Sequence, residues 1–145
     1  MPKIPFLFSA CLLAACSDPA YVANELSTSI DQQLQASEYS AVDFTQLAGN
    51  DWSQLCFFGP YNEGSAEALG FDWHVGEHTD VLHSDGHNVL VFATQTAVLD
   101  YVIHSRASGD FAELSGACFP RSQARFTRDA VNGQWRPVSD PATER

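Results

Sequence analysis

Four of the five histidines of this 145-residue chain crowd into two stretches, His74-Val75-Gly76-Glu77-His78 and His83-Ser84-Asp85-Gly86-His87. Neutral imidazoles beside carboxylates are what Zn and Cu sites use, and histidines four apart share one face of a helix. Gly76, Gly86 and the β-rich flanks argue for strands and turns instead, where residues four apart lie about 13 Å from each other. A two-residue Asp85-Gly86 turn pairs Ser84 with His87 and His83 with Asn88, sending His83 and His87 to opposite faces of a sheet. A single four-histidine site is thereby disfavoured. The metal set still able to meet near a loop is His78, His83 and Glu77, and solvated strand-end histidines are the simpler expectation.

Aromatic residues around Gly59-Pro60-Tyr61 and Trp73 suggest a platform for a sugar or peptide, and Tyr61, Trp73, Asp72 and Asp80 form the candidate binding surface. Aromatics at this density in a small domain usually make up its core. Arg121, Arg125 and Arg128 have the charge to clamp an anion, but in so acidic a chain internal pairing is the expectation. No nucleophile elbow, free-thiol Cys-His pair, phosphate-cradling glycine loop or metalloprotease helix motif occurs. The reading is therefore non-enzymatic, with no cofactor apart from a covalent lipid.

That lipid is implied by the N-terminus. Lys3 is followed by a largely apolar run from Ile4 to Ala15, then Leu13-Ala14-Ala15-Cys16 and the polar Ser17-Asp18. Charge, apolar run and small residues come in signal-peptide order, and the run is too short to span a bilayer, which takes about 20 helical residues. Leu13 to Cys16 resembles the lipobox of bacterial lipoproteins, with Phe8-Ser9-Ala10-Cys11 a weaker second match. The resemblance implies cleavage before Cys16, a thioether-linked lipid on its sulfur, and effectively permanent attachment through several acyl chains. Ser17 after the lipidated residue favours transport to the outer membrane, so the implied location is the bacterial cell envelope, facing the periplasm.

With Cys11 and Cys16 assigned to the leader region, Cys56 and Cys118 are the remaining pair. In an exported chain this points to a disulfide, with two buried thiols as the alternative. The formal charge is −11, and no Lys or Arg lies between Ser17 and Ser105, while all six Arg follow. So acidic a domain repels nucleic acid and anionic lipid, leaving basic proteins, cationic peptides or divalent cations as possible partners.

The elements that must position these residues begin with Asp18-Pro19, an N-cap and first-turn proline, and Val22, Leu26, Ile30 and Leu34 recurring every four residues. This predicts a helix of about 18 residues, packed on the domain or standing as a stalk. Leu55 to Phe58 reads as a buried strand and Ser65 to Gly70 as a short capped helix. Phe71 to His74, Thr79 to Ser84, Val89 to Phe92 and Val98 to Ser105 read as strands, the last with Leu99, Tyr101 and Ile103 opposite Asp100 and His104. Ala124 to Arg128 and Gln134 to Val138 flank Asn132-Gly133 as a hairpin.

The expected fold is α+β: an antiparallel meander of about five or six strands with an N-terminal helix, one short helix and one disulfide. The expected organisation is a leader at 1–15, a lipid-anchored helix or tether at 16–40, one domain at 41–138 and a flexible tail at 139–145. The function expected is a non-enzymatic, lipid-anchored envelope protein that binds a basic envelope protein through its acidic surface. The alternative is a divalent-metal-binding or sensing protein using the segment from His74 to His87. Small acidic lipoproteins that inhibit basic hydrolases such as lysozyme are similar in size, charge and anchoring, although none of their sequence motifs appears.

Overall fold

The computed structural model describes residues 24–138. The segments expected to be a leader (1–15), a lipid-bearing Cys16, an Asp18-Pro19 cap and a tail (139–145) lie outside the described residues.

Helix α1 spans Glu25–Ala36. Its N-cap is Asn24, whose side chain accepts from the Ser27 N–H at 2.9 Å. Its stripe behaves as the four-residue spacing requires. Ile30 and Leu34 are sealed in the core and Leu26 packs against it, each fully buried aliphatic chain contributing about 1.5–3 kcal/mol. The helix is thus part of the folded body and not a free stalk.

Among the described residues seven strands follow, in two antiparallel sheets, so the fold is α+β as expected, with the strands divided between two sheets. Strands β1 (Ala41–Asp43), β6 (Arg125–Arg128) and β7 (Trp135–Pro137) form a three-stranded sheet in the order β1-β6-β7. Strands β2 (Gln54–Phe58), β3 (His87–Ala93), β4 (Val98–Ser105) and β5 (Cys118–Pro120) form the larger sheet, ordered β4-β3-β2-β5. The β6–β7 hairpin lies where Asn132-Gly133 places it, but its loop is longer than two residues. Asp129 N–H donates to the Gln134 carbonyl, and Gly133, at φ +71°, donates back to the Asp129 carbonyl.

Every residue of β3 is buried, so both faces of the larger sheet are covered. On one face Leu55, Phe57, Leu90, Phe92 and Val102 meet α1 and the small sheet. Phe44 stands edge-on to Phe57, Phe111 and Phe126 there at 5.8–5.9 Å, which uses most of the aromatic density as core. On the other face Cys56, Phe58, Val89 and Val91 are roofed by Leu69, Val75, Val81 and Leu82. Cys56 and Cys118 sit directly opposite each other in the β2–β5 register and form the disulfide.

The roof explains two corrections. Phe71 to His74 and Thr79 to Ser84 are not strands: the segment folds as 3-10 turns at Val75–Glu77 and Val81–His83. Val75, Val81 and Leu82 are needed on the sheet below, and short turns deliver them without a ladder. Asp85-Gly86 is accordingly not a two-residue hairpin turn, since β3 pairs with β2 and β4 and not with residues 81–84. Helix α2 (Ser65–Leu69) ends at Gly70 in the left-handed region, as the sequence indicates. Among the described residues no helix is long and apolar enough to cross a membrane.

Candidate binding cleft

The roof over the second sheet face leaves a cleft of about 290 Å³ between the β2–α2 loop and the two 3-10 turns. Buried Val75 and Leu82 belong to its lining, and Tyr61, Glu63, His74, Glu77, Thr79 and His83 bring polar groups to it. Its walls are tied by hydrogen bonds. Ser65 Oγ accepts from the Val75 N–H at 2.9 Å and donates to the Trp73 carbonyl at 3.0 Å, fastening the first turn of α2 to the far wall. On the near wall Ser115 Oγ accepts from Gly59 N–H at 2.9 Å and from the Asn62 amide at 2.7 Å.

Tyr61 stands between the walls in a left-handed conformation (φ +63°), a position that β-carbon-bearing residues rarely occupy. Its N–H donates to the Leu82 carbonyl at 2.6 Å, and its side chain remains 63% exposed. Hydrogen bonding to the Asp85 carboxylate, followed by the negative charge of that group, raises the phenol above its ordinary pKa. The cleft therefore offers an aromatic ring, apolar lining and carboxylates, with no Lys or Arg in its lining.

The proposed metal set is not brought together. Glu77 and His83 share the cleft, but His78 stacks on Trp73 with ring centroids 4.6 Å apart and an interplanar angle of 11°. His74 joins the cleft lining while its Nε2 lies 3.0 Å from Asp72 Oδ1. His87 is buried in β3. Among the described residues no group of three or more His, Cys, Asp or Glu is arranged to hold a metal ion. Of the candidate surface, Tyr61 lines the cleft, Asp72 and Asp80 are exposed beside it, and half-buried Trp73 has a face covered by His78.

The arginines are engaged elsewhere. Arg121 lies over the Trp52 ring at 4.4 Å and donates to the carbonyls of Thr45 and Gly49. Arg125 pairs with Asp43 at 3.3 Å, and Arg128 donates to the Gly133 carbonyl at 2.9 Å. These three do not converge on an anion.

A buried polar cluster escapes the sequence reading altogether. His104 is 0% exposed, on the β4 face that α1 covers. The alternation in β4 is as expected, but the face carrying His104 is the inner one, because Val102 on the same face enters the core. Ser27 Oγ lies 3.3 Å from His104 Nδ1, and Asp31 Oδ1 lies 3.7 Å from Nε2. The residue types are those of a hydrolase relay, but the ring nitrogens are exchanged, with serine at Nδ1 and aspartate near Nε2. Ser27 is only 8% exposed on the inner face of α1, so a substrate carbonyl has no approach to its hydroxyl. The available signal was Ser27 and Asp31 four apart, one residue after Leu26 and Ile30 on the same helix.

The chain matches no protein-family model, no curated protein and no solved structure.

Proposed function

We propose that this chain is a lipid-anchored envelope protein that binds a basic protein partner, receiving a cationic side chain of that partner in the cleft beside Tyr61. The observation that carries the reading is the lining itself: an exposed aromatic ring set among Glu63 and Glu77 with no Lys or Arg in the lining. A guanidinium or ammonium against a tyrosine face gains about 0.5–1 kcal/mol at an exposed site and more when desolvated, and carboxylates at the rim add charge complementarity.

The long-range field favours the same partner. No Lys or Arg lies between Ser17 and Ser105, and Arg121, Arg125 and Arg128 are held by contacts within the domain. The face bearing Glu63, Glu77 and Asp80 therefore keeps its negative charge, since among the described residues none of the three pairs with an arginine. Such a field speeds encounter with a basic surface, and salt weakens it.

Attachment through Cys16 rests on the lipobox-like Leu13 to Cys16 and holds the domain at the membrane. In cells fed an alkyne-tagged fatty acid, the chain should take up label and Cys16→Ser should not; an unlabelled wild-type chain contradicts the anchor. A soluble chain beginning at Ser17 should retain a basic envelope protein at low salt, release it at high salt and fail to retain it as Glu63→Gln/Glu77→Gln. Retention indifferent to both salt and those substitutions contradicts the cleft.

A further inference from the structure

We infer that His104 is an acid-sensitive latch: neutral, its buried ring accepts from Ser27 and seats α1 against the larger sheet, and protonated, it lets the helix go. The geometry carries the inference. Ser27 and Asp31 lie four apart on one helix face and contact the two nitrogens of a single buried ring, at 3.3 Å and 3.7 Å. In the neutral Nε2–H tautomer the Ser27 hydroxyl donates to Nδ1, while Nε2 lies 3.7 Å from Asp31 Oδ1, beyond hydrogen-bond reach, and among the described residues neither of those two buried atoms has a hydrogen-bond partner. Protonation makes Nδ1 a donor, which forces the serine hydroxyl to reverse, and puts a full charge into a site shared with Phe111, whose ring centroid is 5.8 Å away.

Charged groups approach the ring from each element around it. Asp31, on α1, is the one group among the described residues that favours the imidazolium. His87, at the start of β3, opposes it, and Asn88, which pairs with His104 across the ladder, carries no charge to offer. Asp110, in the loop after β4, is already committed to Arg106, with contacts at 2.9 and 3.0 Å. Burial outweighs the pull of Asp31, with His87 adding to it, so the imidazole pKa lies below the ordinary histidine value.

The helix is the part free to yield. It is held by this cluster, its apolar stripe and the Gln33–Asp43 pair, and by no ladder, whereas β2, β3, β4 and β5 are joined by ladders and the Cys56–Cys118 bridge. This consequence rests on the proposed attachment at Cys16: with the chain held there, release of residues 24–36 would add about 40 Å of reach at 3.3 Å per residue. Acid would thus lift the domain away from its attachment point.

Hydrogen exchange of the full chain, corrected for intrinsic rates, tests the latch at about pH 7.5 and about pH 5. Opening of the α1 amides should rise by up to about tenfold per pH unit below about 6.5, while β2 and β3 stay protected. His104→Gln should remove the dependence. Should that variant fail to fold, the wild-type His104 ring resonance should titrate in step with α1 opening. Exchange of α1 that is unchanged or slower in acid, opening of the whole domain together, or a ring titration out of step with α1 would each overturn the inference.

Discussion

Gln33 and Asp43 are joined by two hydrogen bonds: the Gln33 amide donates to the Asp43 carbonyl at 2.8 Å, and the Asp43 N–H donates to Gln33 Oε1 at 2.7 Å. One side-chain amide thus stands in for a peptide group beside β1 and docks the helix to the small sheet. Gln33→Ala removes both bonds and leaves two backbone groups to find water. The expected loss is about 2 kcal/mol, read as a lower urea midpoint with an unchanged slope.

Close approach between helix and sheet also depends on Gly109. A β-carbon there would lie 2.5 Å from Leu34 Cδ1 and 3.2 Å from His104 Nε2. Gly109→Ala should destabilise by about 1–3 kcal/mol through overpacking, with the excess exchange confined to α1 and the 105–111 loop. A neutral thermal shift would contradict that packing.

The disulfide closes a separation of 62 residues. Cys56→Ala/Cys118→Ala should cost about 4 kcal/mol in the chain-entropy picture, a large share of the stability of a domain this size. Chemical denaturation with and without reductant measures it, and equal midpoints would show that the bridge constrains little.

Stability should fall with acid in two windows. The folded-state pKa of His104 is lowered, chiefly by burial, so the native state binds fewer protons than the unfolded chain. The corresponding stability is fully present above the unfolded histidine value of about 6.5 and is lost as pH drops through the folded value. Asp110 is also lowered, first by its hydrogen bonds from Arg106, so its contribution is present above the ordinary aspartate range and disappears as pH falls through its own depressed value. Urea titrations at stepped pH should show both declines in the wild type and the acidic one alone in His104→Gln.

The class of fold was legible because periodicity reports burial directly: Ile30 and Leu34 at helical spacing and Leu55 to Phe58 as an apolar run both became core. The segment from Phe71 to Gly86 was misread for a physical reason. Val75, Val81 and Leu82 cap a sheet face through 3-10 turns, and a roof of that kind has neither a two-residue nor a four-residue period. The division into two sheets was equally hidden, since β1 pairs with β6, more than 80 residues away along the chain. Of the candidate site, Tyr61, Glu77 and His83 stand out in the sequence, but Glu63 and the cleft's lining by Val75 and Leu82 depend on how the roof folds. His104 was assigned to a polar face because a histidine opposite Ile103 carries no mark of burial in sequence.

The central claim, a basic partner seated beside Tyr61, is tested most directly by photo-crosslinking in cells. A benzophenone side chain is placed at position 61 and, as a control, at Val131, which is 96% exposed on the β6–β7 loop. The account predicts an adduct with a basic envelope protein from position 61 alone, lost in Glu63→Gln/Glu77→Gln. Equal adducts from both positions, an acidic partner, or an adduct indifferent to those substitutions would contradict it.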